Sequence, residues 1–279
     1  MKRTGIFYVV ATPIGNLADI TLRAERALKE VSLIACEDTR VTQKLLNHLG
    51  LSTPLLRADE TAIPQAVERV LAELSAGRDV ALVSDAGTPG LSDPGARLIS
   101  PVVGAGFEVI PVPGASALSS ALSVCHFPTL PLLFLGFLPK KKGERDRMWA
   151  EAGEISVALG FFLPARDLPK MLPELAESLG VGRQALIARE MSKVHEEYLR
   201  GTLAELAERA GGREFKGEAT MIVAAPLGGG KGELPSVKEL QKSLREMLAG
   251  GLTKKEAYLA LAKRFGVAKR EVYNLLEVR

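Results

Sequence analysis

The sequence predicts an α/β fold made of two α/β domains. The first is a doubly wound, mostly parallel sheet, the second a mixed sheet, and a helix-turn-helix-like tail follows. Three observations predict this. From Ile6 to Val112, short apolar runs alternate with helical spacing, the rhythm of parallel strands joined by right-handed crossovers. Past Pro131 the strand-like runs continue, but longer gaps break the simple alternation. Beyond Pro226 a glycine-rich stretch leads into basic, helical sequence. The domains are accordingly drawn at 1–122, 123–227 and 236–279. A chain of 279 residues, 47% hydrophobic and 25% charged, can fill cores of this size.

Taken in order, Ile6–Val10, Leu33–Cys36, Val80–Val83 and Val109–Val112 read as buried strands, with a weaker one at Leu55-Leu56. Ala24, Ala27, Leu28 and Val31 fall at helical spacing, as do Val67, Val70, Leu71 and Leu74. Gly50 and Gly77 stand where helices end, and Pro64 where one starts. The turn-rich segment 128–131 marks the domain boundary. In the second domain Val157–Leu163, Ala185–Ala188 and Met221–Ala225 read as strands, and 210–217 as turns. Too few strand–helix repeats are present for an eight-unit barrel. The run from Pro226 to Gly232 is a linker by composition. Its Gly230-Lys231 pair lacks the following Ser or Thr of a phosphate loop. Helices are expected at Val237–Ala249, Lys254–Phe265 and Lys269–Leu276, with Thr253 as an N-cap. A short turn before a basic last helix fits a helix-turn-helix, and equally a helical hairpin.

Composition narrows the chemistry. The apolar run Gly5–Ala11 is short and ends in Thr12-Pro13-Ile14-Gly15-Asn16 without a cleavage site, so a first strand is expected rather than a leader. No stretch is apolar over the length of a membrane span. Cys36 and Cys125 lie far apart in apolar runs and read as buried free thiols of a cytoplasmic protein. His48, His126 and His195 share no ligand spacing, so no metal is expected. From Lys231 onward, eleven Lys and Arg face six Glu, whereas the rest of the chain carries 25 basic against 27 acidic residues. A basic tail on a nearly neutral body suits a polyanionic partner, or a solvated helical face.

Four loops follow the four clearest strands of the first domain: 12–16, 37–40, 85–89 and 113–117. In a parallel sheet they line one crevice at the carboxyl ends of the strands. Ser84-Asp85-Ala86-Gly87-Thr88-Pro89-Gly90-Leu91-Ser92-Asp93-Pro94-Gly95 is the densest in turn residues and lets backbone approach a ligand. It matches neither the dinucleotide fingerprint nor the phosphate loop. Three of the four loops combine Gly or Pro with small residues, which suits a compact cofactor held by backbone groups and shape. Glu37-Asp38-Thr39-Arg40 differs in bringing two acids and a base to the crevice. It reads as substrate contact or proton handling, or as a solvated helix start.

Residues 11–20, Glu37-Asp38-Thr39-Arg40, 84–89 and Pro113-Gly114-Ala115-Ser116 resemble the tetrapyrrole methylase superfamily. More narrowly they resemble its ribosomal branch, the bacterial 16S rRNA (cytidine) 2′-O-ribose methyltransferases. Gly136-Phe137-Leu138-Pro139-Lys140, 188–193 with 195–197, and Lys216-Gly217-Glu218 add to the likeness. The resemblance implies a two-domain enzyme with S-adenosylmethionine in the interdomain cleft, 16S rRNA of the small ribosomal subunit as partner, and a homodimer. Carried over by position, cofactor contacts would come from Pro13, Asp85, Ala86, Gly87, Thr88, Pro89, Ser116, Ala117, Phe162, Met191, Ala219 and Thr220. RNA contacts would come from Lys140, Lys141, Lys142, Lys193, Lys254, Lys255, Lys269 and Arg270. Asp38 and Glu190 are candidate proton acceptors, and Arg40 a candidate phosphate or alkoxide contact. One departure stands out. Where relatives carry an aromatic-acid-Ser-Pro-His-Arg run, this chain has Leu163-Pro164-Ala165-Arg166-Asp167, of which Arg166 alone survives. The rival readings are a small-molecule methylase of the same fold and a non-catalytic RNA-binding assembly factor.

Overall fold

The computed structural model describes residues 4–153, 155–226, 237–265, 272, 273, 275 and 276. The chain divides into two compact units. One comprises Met1–Val124 together with Ala188–Glu197, the other Cys125–Ile187 together with Tyr198–Arg279. A division into consecutive segments therefore misses one excursion. Residues 188–197 group with the first unit although the chain around them belongs to the second.

The first unit holds strands β1 (Ile6–Val10), β2 (Leu33–Cys36), β3 (Leu55–Arg57), β4 (Val80–Val83) and β5 (Glu108–Val112) in the order β3-β2-β4-β1-β5. Every pairing is parallel, with Phe7 opposite Val80, Ile34 opposite Ala81 and Tyr8 opposite Ile110. β2 and β4 are buried along their whole length because helices cover both faces. Ile34, Cys36, Ala81 and Val83 pack with Leu28 of α1 (Leu22–Glu30) and Leu46 of α2 (Thr39–Leu49). Their neighbours Leu33, Ala35, Val80 and Leu82 pack with Val70 and Leu74 of α3 (Ile63–Ser75) and Leu98 of α4 (Ala96–Gly104). The predicted helix ends are in place. Pro64 sits in the first turn of α3, and Gly50 closes α2 at φ +66°. A fifth helix, α5 (Ala117–Ser123), is capped by Ser116.

The second unit holds β6 (Leu132–Phe137), β7 (Ala158–Pro164), β8 (Gln184–Arg189), β9 (Glu197–Thr202) and β10 (Glu218–Val223) in the order β6-β7-β10-β8-β9. β6 and β7 are parallel and β7 and β10 antiparallel, so the sheet is mixed as expected. β6 and β9 were not expected as strands. Leu159, Phe161, Leu163, Ala219, Met221 and Val223 form one core with α6 (Lys142–Gly153), α7 (Leu168–Leu179) and α8 (Leu203–Ala210). The alternate residues Phe162 and Thr220, directly opposite each other across β7 and β10, belong to the other face.

The tail forms α9 (Val237–Ala249) and α10 (Lys254–Phe265), at the predicted bounds. Thr253 and Glu256 cap α10 reciprocally. Leu240, Tyr258, Leu261 and Val272 are buried in a cluster of their own. The helix expected from Lys269 lies largely outside the described residues. Cys36 is buried and free, whereas Cys125 is free but only half-buried. No described helix is long and apolar enough to cross a membrane.

Candidate active site

Three of the four strand-end loops are tied together by hydrogen bonds of backbone and threonine hydroxyls. Thr12 and Gly87 exchange N–H···O bonds of 2.9 and 3.1 Å, while the Thr12 hydroxyl donates to the Ser84 carbonyl at 3.2 Å. The Thr88 hydroxyl donates to the Ala115 carbonyl at 3.1 Å, tying the loop after β4 to the loop after β5. Gly87 has φ +82°, and a Cβ there would stand 3.3 Å from Ile14 and 3.7 Å from the Ala115 carbonyl. Only glycine takes that conformation without strain. Asp93 anchors the far end, accepting from the Gly90 N–H at 2.8 Å and the Gly95 N–H at 2.7 Å. Sequence reasoning gave Asp93 no role, although an Asp flanked by glycines is a recognisable local turn signal.

This anchoring leaves Asp85 and Ala86 exposed, Thr88 half-exposed and Pro89 buried. Pro13 is buried beside Thr12, and Ser116 and Ala117 are half-buried at the start of α5. The excursion 188–197 reaches the same unit. Met191 is buried, and its carbonyl oxygen stands 2.9 Å from where a Cβ on Gly15 would lie. The site thus depends on glycine at 15, for close approach of the Met191 carbonyl, as well as at 87, for its positive φ. In the second unit, Phe162 and Thr220 share a sheet face, but Ala219 pairs with Leu163 and turns into the helical core. From Ala219 only backbone is open to a ligand on the Phe162 face.

The acid–base group is arranged differently from its sequence reading. Asp38 caps α2, accepting from the Arg40 N–H at 2.8 Å, and the Arg40 guanidinium closes on the same carboxylate at 2.6 Å. Hydrogen bonds from the Arg40 side chain and backbone hold Asp38 down at about 2. The Asp38 N–H donates to Asp85 at 3.1 Å. Desolvation pushes the Asp85 carboxyl above its usual range, and the nearby Asp38 charge pushes the same way. Glu37 is raised by burial and then by Asp85, beside a small cavity walled by Ala58, Leu82, Ser84 and Leu98. Glu190 has φ +50° and is paired with Lys193 at 2.8 Å. Both sequence-derived proton acceptors are therefore engaged by cations, and the raised carboxyls, Glu37 and Asp85, are neighbours of Asp38.

These loops and this pair of sheets can be set against known proteins. The family described as Tetrapyrrole (Corrin/Porphyrin) Methylases matches residues 7–207. The ribosomal RNA small subunit methyltransferase I of Halalkalibacterium halodurans is 40% identical over 278 residues, covering 97% of this chain and 94% of that protein. This chain belongs to the tetrapyrrole methylase family. Within it, the protein of the same name from Synechocystis sp. is 39% identical over 97% of both chains. Among solved structures, uroporphyrin III C-methyl transferase from Thermus thermophilus shares the fold with a TM-score of 0.55 at 18% identity. That match covers 78% of this chain and 96% of the other. As a family member, the protein has a fold built for S-adenosylmethionine.

The lysines expected to meet RNA are distributed unevenly on this methylase. Lys140 is exposed, while Lys141 pairs with Glu144 at 3.3 Å and Lys142 with Asp146 at 2.9 Å, both acids lying on α6. Such exposed pairs exchange readily for a phosphate, being worth little to the fold. Lys254 stands 5.9 Å from the Tyr258 ring. Lys255 lies on α10, and Lys269 and Arg270 lie outside the described residues. Sequence reasoning missed a further group. Buried Arg145 grips Glu174 through two bonds of 2.8 Å and donates to the carbonyls of Pro139 and Lys140 at 3.1 and 2.8 Å. Among the described residues, no three His, Cys, Asp or Glu come together as a metal site.

Proposed function

We propose that this protein transfers a methyl group from S-adenosylmethionine to the 2′-hydroxyl of a cytidine ribose in 16S rRNA of the small ribosomal subunit. The observation that carries the reading is its near full-length identity, about two residues in five, to proteins named ribosomal RNA small subunit methyltransferase I. A cytoplasmic location and a homodimer belong to the same reading, resting on the ribosomal substrate and on the family resemblance. The basic tail, with eleven Lys and Arg against six Glu from Lys231 onward, supports a polyanionic substrate over a small macrocycle.

The strand-end residues fit the cofactor. Gly87, with its positive φ, holds the loop in a turn that other residues adopt only under strain, and its neighbours Ala86 and Thr88 are small. In the first unit, Pro13, Asp85–Pro89, Ser116, Ala117 and Met191 would hold it, and contacts from Phe162, Ala219 and Thr220 are what the family resemblance implies. When bound, it supplies a methyl group on a sulfonium, so that a C–O bond forms as a C–S bond breaks. The protein's share is alignment of the hydroxyl in line with that bond, and acceptance of the hydroxyl proton.

The geometry favours Asp85 over Asp38 for the proton. A carboxylate held at about 2 by Arg40 is a poor acceptor, whereas Asp85 is exposed and raised. Asp38 and Arg40 then act together as the helix cap and a clamp on the ribose–phosphate backbone. In single-turnover methylation of small subunits, Asp85→Asn is expected to slow transfer about 10²-fold or more. It should also erase the loss of rate as pH falls through the raised carboxyl's range, above the ordinary ~3.9. Asp38→Asn should keep that pH limb and mainly weaken RNA binding. Cofactor affinity is measured separately by calorimetry, because Asp85 lies in the cofactor loop. A hundredfold loss in Asp38→Asn with unchanged RNA and cofactor binding would return the role to Asp38.

A further inference from the structure

Strand β6 does something its residue pattern alone does not require. Leu132 and Phe134 alternate with Leu133 and Leu135, which pack into the helical core. By that alternation Phe137 would join the core face. It does not, because the register against β7 slips between Phe134 and Phe137. Gly136, at φ +65°, lies within the slip. A bulge of this kind re-aims one side chain, and such bulges gather beside active sites. Here it turns Phe137 onto the face of Phe162, with which it is paired across the strands. The Phe137 and Phe162 rings lie 5.4 Å apart, and Phe134 meets Phe162 edge-on at 5.0 Å.

The result is a large apolar ring left 52% exposed on top of two partly covered ones. Three lysines follow directly, at 140, 141 and 142. The backbone that carries the first of them is fixed from beneath, since buried Arg145 holds the carbonyls of Pro139 and Lys140 while Glu174 holds Arg145. An exposed aromatic ring followed closely in the chain by a lysine on fixed backbone suits single-stranded nucleic acid, which such proteins take by stacking a base and holding its phosphates.

We propose that Phe137 is a stacking platform for an unpaired nucleobase of the RNA substrate, with Lys140, whose carbonyl Arg145 holds, meeting the adjoining phosphate. The inference rests on the rRNA reading above and names the residue that would receive the splayed-out strand. The occupant is RNA rather than the cofactor's own base because the exposed ring is followed in the chain by three lysines, a charge suited to a polyanion.

The chain's single tryptophan, Trp149, is buried, so an exposed indole introduced by F137W reports separately on this site. With a cytidine-containing single-stranded RNA hexamer as probe, F137W emission should quench on binding. An abasic hexamer of equal charge should bind weakly and leave emission unchanged. F137A should bind the hexamer roughly 10- to 100-fold less tightly, with F137Y close to the parent. KM for small subunits should rise more than kcat falls. Equal quenching by the abasic strand overturns the proposal, as does quenching by S-adenosylmethionine alone, which would make the ring a cofactor contact. Conversion of a dimer to monomers in F137A also overturns it, making the ring a subunit interface. If F137A does not fold, F137Y and F137W, which keep a ring, still decide the matter. Unchanged methylation of small subunits by F137A would sink the platform and leave the rRNA reading standing. Absence of methylation by the parent protein would sink that reading instead, and with it the platform's RNA substrate.

Discussion

Replacing Glu174 with leucine is expected to destabilise the second unit by about 3–5 kcal/mol, the usual cost of removing one partner of a buried ion pair. Arg145 and Glu174 are 5% and 8% exposed, so neither charge is screened by water. Glu174 also accepts from the Trp149 indole N–H at 3.2 Å. The substitution therefore strands a guanidinium and an indole donor together. The double variant Arg145→Met with Glu174→Leu should recover most of the loss, since no buried charge then remains unpaired. Urea unfolding followed by far-UV circular dichroism measures both. A loss below about 1 kcal/mol in the single variant would mean that water reaches the pair. Acid should act in the same direction. Arg145 holds the Glu174 carboxyl below its usual range, so the pair's contribution is present above about pH 4.3. It is lost progressively as pH falls below that value.

The second large effect belongs to the cofactor loop. Gly87→Val is expected to cut S-adenosylmethionine affinity about 10²-fold or more, at an unchanged circular dichroism spectrum. A β-branched residue at φ +82° costs about 1–3 kcal/mol in backbone strain alone. Its Cβ would also stand 3.3 Å from the Ile14 side chain, tighter than ordinary contact. Relief requires the loop to leave its paired hydrogen bonds with Thr12, and the backbone groups aimed at the ligand move with it. Gly87→Ala should fall between the two. Parent-like affinity in the valine variant would remove this loop from the cofactor's surroundings.

The centre of the first sheet was legible in the sequence because β2 and β4 are short unbroken apolar runs, as burial on both faces demands, whereas β3 at the edge gave a weaker signal. Loops that follow such strands are legible for the same reason, which is how residues 12–16, 37–40, 85–89 and 113–117 could be picked out. β9 was hidden because Glu197, Arg200 and Gly201 interrupt it at the edge of the second sheet. β6 was hidden because Gly136 breaks its pattern, and that break is the bulge that re-aims Phe137. The Arg145–Glu174 pair lies on two helices 29 residues apart, and charged residues on helices read as surface. The contrast between Asp38 and Asp85 could not be read either. It depends on Arg40 folding back over two residues onto the carboxylate that caps its own helix.

One measurement bears most directly on the central claim. Small ribosomal subunits from a strain lacking this protein are incubated with the purified protein and S-adenosylmethionine, and nuclease fragments of their 16S rRNA are mapped by mass. A new methyl group should appear on the ribose of a cytidine, and none should appear when that nucleotide is supplied as its 2′-deoxy form. A methyl group on the base, transfer to the 2′-deoxy nucleotide, or no modification of the subunit at all would contradict the account.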